Sequence, residues 1–388
     1  MIELQDNQFD IALPLAKEMD YCNTIYAIIE KTIKGKIWVD DLSKPTIALY
    51  WDGIRRLYLV GDYTNNKKND KIGIIVRDQI LASGTKRKLT QWTFHFEPFE
   101  WKEHIHEMIV DYLPLDDTRL CYQFEKDKCT LQENWKQSLR DGHLLELVDE
   151  DFLDNYVNAK NFKDIHYELG SWMSHEVFFQ EGFGFCIIDN MKIAAWCMGE
   201  YVSPRMKRIE IGIETYQEYQ KQGFATLTGS ALVKHALKNG FELIGWHCWE
   251  RNVASAKTAE KIGYKLKKKY PVIFGWYNKI DQLIARGWMN RRILGNYEAA
   301  IDYYNQVISL DKQGDPSIKG SHLLDDVKQI KVSIAEATCQ LGKLDDALKI
   351  IQRVIAKGYT DFDRLEKSED LEPLKTNPKW KKIMEEKE

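Results

Sequence analysis

Residues Arg208–Ala225 read RIEIGIETYQEYQKQGFA. The first half alternates apolar and polar residues, as a half-buried strand does. The second half, Gln220-Lys221-Gln222-Gly223-Phe224-Ala225, opens a helix. Glycine at that junction lets the backbone approach a ligand closely, and the first N–H groups of a helix have no partners of their own. Together they make an anion site suited to a pyrophosphate. Neither G-x-G-x-x-G nor G-x-x-x-x-G-K-[ST] is present. Taken alone, the glycine is weak evidence for a ligand and reads first as ordinary turn chemistry.

Outward from this segment, residues from about Gly142 to Tyr277 alternate strands and helices. Strand candidates are Leu144–Val148, Arg208–Glu214 and Leu243–Trp249. Gly182–Ile188 and Lys192–Val202 form a hairpin around Asp189-Asn190. Helical patterns run through Tyr156, then Asp164–Phe179, Ala225–Lys238 and Ala254–Ile262, before a final strand pair through Tyr264–Tyr277. Strand, helix and strand joined by a tight glycine turn argue for an α/β architecture.

The order of these elements resembles the GNAT superfamily of acyl-CoA-dependent N-acetyltransferases, over roughly 143–277. That family's pyrophosphate loop, [QR]-x-x-G-x-[GA], stands here as Gln220, Gly223 and Ala225. Its asparagine-led second signature stands as Asn252, Ser255, Gly263 and Tyr264, about thirty residues further on. More narrowly, the chain is similar to the bacterial group that includes the zwittermicin A resistance acetyltransferase. The shared features are a long N-terminal α/β region, Ile213-Glu214-Thr215 at a strand end, and Gly245-Trp246-His247-Cys248-Trp249 before the asparagine.

The resemblance implies a GNAT-like mixed sheet with flanking helices, using acetyl-CoA as donor and no metal. Ile213 and Thr215 would bind the pantetheine through their backbone groups, beside a splay between the strands ending in Glu214 and Trp249. Gln220, Lys221, Gln222, Gly223, Phe224, Ala225 and Thr226 would cradle the pyrophosphate. Asn252 and Ser255 would hold the pantetheine arm, and Lys267–Lys269 are a basic run for a 3′-phosphate or a solvated face. The chemistry implied is direct attack of a neutral amine on the thioester, which needs a base for the amine's proton. Three residues compete for that role. Glu210 and Glu214 share a strand face, because the strand period is two. His247 carries an imidazole that titrates near neutrality. One position departs from the family: the tyrosine that acts on the leaving thiolate in many members is Ala259 here. Tyr264, Ser255 or water would replace it, no acid is needed, or the chain is an inactive acyl-CoA-binding relative. Cys248 alternates away from His247 and reads as a small buried hydrophobe.

Residues 1 to about 130 read as a separate α/β domain, a degenerate copy of the 143–277 catalytic domain being one reading of it. They hold a helix over Ile11–Lys34, strands at Lys36–Val39, Thr46–Trp51 and Leu57–Val60, and an exposed loop at Asn65–Asp70. His104 and His106 would share a face if they lay on a strand, but no third metal ligand is evident. Residues 281–388 are helical and repeat at an interval of 47 residues. Gly295 precedes Ala300, Ile301, Tyr304, Val307 and Ile308 as Gly342 precedes Ala347, Leu348, Ile351, Val354 and Ile355. This resembles two tetratricopeptide-like (TPR-like) hairpins with an insertion; a helical cap on the middle domain is the alternative.

The chain has 388 residues and 44% hydrophobic content, ample for several cores, which excludes disorder as a whole. Its net charge of −4 argues against nucleic-acid binding. Seven cysteines without a Cys-x-x-Cys fit reduced thiols in a cytoplasmic protein. Neither a signal peptide nor a membrane span is expected. The leading expectation is an acyl-CoA N-acyltransferase acting on a primary amine of a small molecule, antibiotic- or polyamine-like. The alternatives are an interaction protein whose helical tail binds a partner and whose acyl-CoA site is vestigial or regulatory, and an acetyltransferase for protein N-termini or lysines.

Overall fold

The computed structural model describes residues 1–385 except 128, 130, 132–138 and 140. The expected boundary at residue 130 and the end of the helical tail, 386–388, lie outside them. Twelve strands form a single mixed sheet. They are β1 (Ile2–Glu3), β2 (Lys36–Val39), β3 (Ile47–Trp51), β4 (Arg56–Gly61), β5 (Gln91–Glu97) and β6 (Leu115–Glu125). The remainder are β7 (His143–Leu147), β8 (Gly184–Asp189), β9 (Lys192–Ser203), β10 (Arg208–Thr215), β11 (Leu243–Trp249) and β12 (Lys265–Trp276). Their order across the sheet is β1-β2-β3-β4-β5-β12-β6-β11-β10-β9-β8-β7. Among the defined registers, β4 with β5 and β10 with β11 are parallel and the others antiparallel. Each parallel pair needs a long crossover, which helices supply.

Four helices of the sheet-bearing unit bear on the site: α1 (Asn23–Ile29), α2 (Phe162–Leu169), α3 (Phe224–Lys238) and α4 (Val253–Ile262). Ile209, Ile211, Ile244 and Trp246 form one core with Leu232, Val233 and Ala236 of α3 and Ala259 and Ile262 of α4. The hairpin β8–β9 closes through Asn190 and Met191, both with left-handed φ (43° and 61°), the twist that short hairpin turns require.

Five local expectations change. The helical pattern over Asp164–Phe179 is two helices, Phe162–Leu169 and His175–Glu181, because Ser174 is extended (φ −155°, ψ 170°) and caps the second. The helix expected over 11–34 is broken, because Cys22 is extended (φ −104°, ψ 100°) and α1 starts afresh after it. Residues 66–74 are helical rather than a loop, with the Asn65 side chain capping the N–H of Lys68. The final strand pair is one strand, β12: no residue within it takes the left-handed φ a tight reversal would use. His104 and His106 lie on the helix Trp101–Met108, not a strand, so they do not share a face; His106 Nε2 is 2.9 Å from Asp116 Oδ1.

The chain divides into two compact units. The first comprises Met1–Arg77, Trp92–Ile109 and Asp116–Phe274 and carries the sheet. The second comprises Asp78–Gln91, Val110–Leu115 and Gly275–Glu388. It contains α5 (Lys279–Arg292), α6 (Tyr297–Gln313), α7 (Val327–Gln340) and α8 (Leu344–Ile355). Gly295 and Gly342 turn the chain before α6 and α8 with φ of 64° and 75°. The matching positions Ala300, Tyr304, Val307 and Ala347, Ile351, Val354 are buried. The Asp281 carboxylate accepts from Ser321 Oγ and from the N–H groups of His322 and Leu323, which pins the end of the long α6–α7 connection. Among the described residues no helix is long and apolar enough to cross a membrane.

Candidate active site

β10 and β11 hydrogen-bond as a parallel pair from Arg208–Ile211 against Leu243–Trp246, and then part. β10 stays on β9 as far as Thr215, opposite Ala195, while β11 stays on β6 as far as Trp249, opposite Arg119. A wedge therefore opens between Glu214 and Trp249, and the β10 edge facing it has no strand partner from Gly212 onward. A cleft of about 730 Å³ occupies this wedge. β10 lines it with Ile213, Glu214 and Thr215, and the following turn with Tyr219, Gln220, Lys221 and Gly223. α3 contributes Phe224, Ala225 and Thr226, β11 contributes Trp246, and the α4 side contributes Asn252, Ala254, Ser255, Lys257, Thr258 and Lys261.

The turn has the form of an anion nest. Lys221 and Gly223 both take left-handed φ (60° and 88°), the alternation that points successive N–H groups into one concavity. Among the described residues, the N–H groups from Lys221 to Thr226 have no acceptor. A Cβ on Gly223 would meet nothing within 4 Å and would stand in the open cradle. The Thr215 hydroxyl, at the cradle's strand side, is buried without a partner among the described residues. Free donors converging on a helix N-terminus fit a pyrophosphate, and a parted strand edge fits an amide-bearing arm laid alongside it. On the far wall, the Asn252 side chain caps α4 by accepting from the N–H of Ser255 (3.1 Å). Trp246 Nε1 donates to Ser255 Oγ (3.0 Å).

Of the expected donor-site residues, all but Gln222 line the cleft; Gln222 turns its side chain to the carbonyl of Glu218 (3.2 Å). The three acid–base candidates separate. Glu214 stands in the cleft lining, where burial by the walls and the nearby charge of Asp164 both raise its carboxyl above the ordinary range. Glu210 is 2% exposed and ion-paired with Arg56 (3.0 Å). His247 is enclosed too. Its Nε2 lies 3.0 Å from the carbonyl of Tyr21, which can only accept, so the proton sits there and Nδ1 accepts from Tyr270 Oη (2.7 Å). Burial lowers its pKa, Arg119 and Arg56 add to that, and Glu210 opposes. Glu210 and His247 are neighbours, 3.9 Å apart, but neither lines the cleft.

Ala259 is fully buried, and Tyr264 places its hydroxyl in the core without a partner. Lys267, Lys268 and Lys269 pair with Glu125, Glu97 and Glu250 and are absent from the cleft lining. The cations at the cleft are instead Lys221, Lys257 and Lys261. Sequence reasoning missed the last two, although their signal was present: they sit four residues apart on a helix capped by Asn252, so they share one face.

A helix-terminal N–H cradle beside a parted parallel strand pair is a form suited to a ligand that joins a phosphate group to an amide-bearing arm. A family model described as GNAT acetyltransferase matches residues 14–273, and the chain belongs to that family. The match begins in the N-terminal half of the sheet and runs through both parallel strand pairs. The chain is 25% identical over 256 residues to the uncharacterized N-acetyltransferase YdfB of Bacillus subtilis strain 168, covering 66% of this chain and 91% of that one. Among solved structures, the GCN5-related N-acetyltransferase-like protein of Streptococcus suis 89/1591 superposes with a TM-score of 0.54 at 21% identity, covering 70% of this chain and 98% of the other. The sheet is thus GNAT-like, the protein is an acyltransferase, and its family uses acetyl-CoA.

A prediction follows for the two lysines. Replacing both Lys257 and Lys261 by alanine should raise the KM for acetyl-CoA by about tenfold at low salt, as loss of charge-assisted phosphate contacts does. The difference should shrink as salt screens these exposed groups. An unchanged KM at low ionic strength would exclude both from donor binding.

Proposed function

We propose that the protein transfers acetyl from acetyl-CoA to a primary amine of a small molecule by direct attack. The observation that carries this is the meeting, in one cleft, of an unpartnered N–H cradle, a free strand edge and one carboxylate at the wedge. The backbone of Ile213 and Thr215 would hold the pantetheine, and the turn from Gln220 to Thr226 the pyrophosphate. Asn252 and Ser255 would face the arm from α4. The amine nitrogen attacks the thioester carbonyl carbon, the N–C bond forms, and the C–S bond breaks with its electron pair leaving on sulfur. Glu214 takes the proton released from nitrogen, directly or through water. What supports Glu214 over Glu210 and His247 is its place in the cleft lining and its raised pKa, which brings a carboxylate closer to an amine-deprotonating role. With Ala259 buried, Ser255 is a hydroxyl of the cleft lining that accepts from Trp246 and can donate a hydrogen bond to the leaving thiolate, which departs without a general acid. The small-molecule acceptor draws on the likeness to the zwittermicin A resistance group.

We also read the N-terminal half of the sheet as a non-catalytic copy. Its helix after β4 starts at a side-chain cap, Asn65, which takes up the N–H of Lys68, whereas Gly223 has no side chain to cap α3. The second unit reads as a TPR-like pair of hairpins, from its 47-residue repeat and its two glycine turns.

Thermal unfolding with and without acetyl-CoA tests the donor. At about 100-fold over its Kd, acetyl-CoA should stabilise the protein by about 2.7 kcal/mol, roughly 5–10 °C for a unit of about 150–250 residues. Gly223→Glu should abolish this shift, because a side chain there is strained at positive φ and puts a carboxylate into the anion cradle. An amine screen with acetyl-CoA consumption as readout then finds the acceptor. No shift at millimolar acetyl-CoA would sink the reading.

A further inference from the structure

Cross-strand partners share a sheet face, so the face bearing Glu214 can be followed across the wedge. Glu210 lies opposite Gly245 on β11, and two and four residues further along β11 come His247 and Trp249. On β6, Cys121 lies opposite His247 and Arg119 opposite Trp249. Glu214, Trp249 and Arg119 therefore stand on one face, at the end where the strands part.

Arg119 is 8% exposed. Its guanidinium lies over the Trp249 ring, 4.8 Å from the centroid, and Arg251 lies against the same ring at 4.9 Å. The carboxylate nearest in sequence on that face, Asp117, is taken by Arg251. Among the described residues Arg119 has no ion pair and its guanidinium donates no hydrogen bond; Nε is wholly enclosed and unpartnered. The neighbouring arginines differ: Arg55 is paired with Glu168 and Glu200, and Arg56 with Glu200 and Glu210. A guanidinium withdrawn from water with five donors and no acceptor is costly unless a ligand completes it. Its planar fork matches a carboxylate in two parallel bonds, and an aromatic platform holds it flat for that purpose.

We propose that Arg119 binds an anionic group of the acceptor, so that the amine acetylated by this protein also carries a carboxylate. This rests on the small-molecule reading above and narrows it: Arg119 and Trp249 are not among the residues lining the donor cleft, so an aminocarboxylate would reach Glu214 with its amine from the sheet face that Arg119 shares, its carboxylate on Arg119. A polyamine or an aminoglycoside brings only positive charge to an arginine that has no ion pair among the described residues and feels Glu200 only at longer range. Carboxylate is favoured over phosphate because the site offers one fork and no second cation free to meet a dianion, Arg251 being held by Asp117.

The test is acetylation of matched pairs that differ only in the carboxylate: glycine and methylamine, 4-aminobutanoate and propylamine, lysine and cadaverine. Wild type should favour the carboxylated member of at least one pair by roughly 10–100-fold in kcat/KM, the range for one charge-assisted contact. Arg119→Met should collapse that ratio toward one, and Arg119→Lys should retain part of it. A ratio near one in wild type, a preference for the plain amines, or a ratio unchanged in Arg119→Met overturns the proposal. Phosphoethanolamine against ethanolamine is a further pair; a preference confined to it overturns the carboxylate assignment. If nothing is acetylated, thermal shifts of the CoA-bound protein with 4-aminobutanoate and with propylamine separate the two ideas. Stabilisation by 4-aminobutanoate alone, lost in Arg119→Met, supports the subsite and places the fault in the transfer reading. No carboxylate-dependent shift overturns the subsite itself.

Discussion

Glu214→Gln should lower kcat by roughly 10²–10⁴-fold, the range for loss of a positioned general base, while the KM for acetyl-CoA stays close to wild type. The amide keeps the shape of the carboxylate but cannot take a proton. As a base Glu214 would act only when ionised, and burial with Asp164 raises its pKa. The rate should therefore fall as pH decreases, with its acidic limb above the ordinary carboxylate range. Asp164→Asn removes the like charge and should move that limb down; the Asp164 carboxylate also accepts from Tyr216 Oη at 2.6 Å, so melting controls accompany the variant. The pH profile checks this directly. A Glu214→Gln enzyme with wild-type kcat, or a limb that ignores Asp164, would return the base to Glu210, His247 or water.

The second large effect is on folding. Arg56 extends from β4 to the ion pairs at Glu200 (3.3 Å) and Glu210 (3.0 Å), and its guanidinium stacks on Tyr201 at 4.4 Å. Glu200 is 9% exposed. Burial works against its ionisation, yet Arg56 and Arg55 together hold it below the ordinary range. Arg56→Met leaves the buried Glu210 without its arginine and Glu200 with Arg55 alone, and such a break costs about 3–5 kcal/mol. The melting temperature should drop on the order of 10 °C. Lys36→Met, which breaks an exposed pair with Glu3, should cost less than about 1 kcal/mol. Equal losses in the two variants, read by denaturant titration, would show that the buried cluster contributes no more than a surface contact.

The cluster also explains why the site was only partly legible beforehand. The cradle could be read from Gln220–Ala225, and Asn252 could be read as a helix start, because turn chemistry and capping act over three or four residues. The same local logic located the Asp189-Asn190 hairpin and the strands around it. It failed where a strand's surroundings decide its chemistry. Glu210 and Glu214 have the same face and nearly the same neighbours in the chain, yet one is enclosed by Arg56 from β4 and the other borders the wedge. His247 has an ordinary imidazole in sequence, and only Tyr21 and Tyr270, which come from distant segments, consume both of its nitrogens.

The sequence by itself therefore determined the α/β alternation, the glycine turn that opens α3, the asparagine that caps α4, and the two glycine turns of the tail. These depend on periodicity, on the conformations open to glycine and on caps, all of which are local. Tertiary structure alone decided where β10 and β11 part, which carboxylate meets the cleft, that Lys257 and Lys261 stand at the cleft in place of Lys267–Lys269, and that Arg119 has no ion pair among the described residues. Those outcomes turn on strand order and on desolvation, and a buried charge takes its properties from groups brought to it by folding across a hundred residues or more.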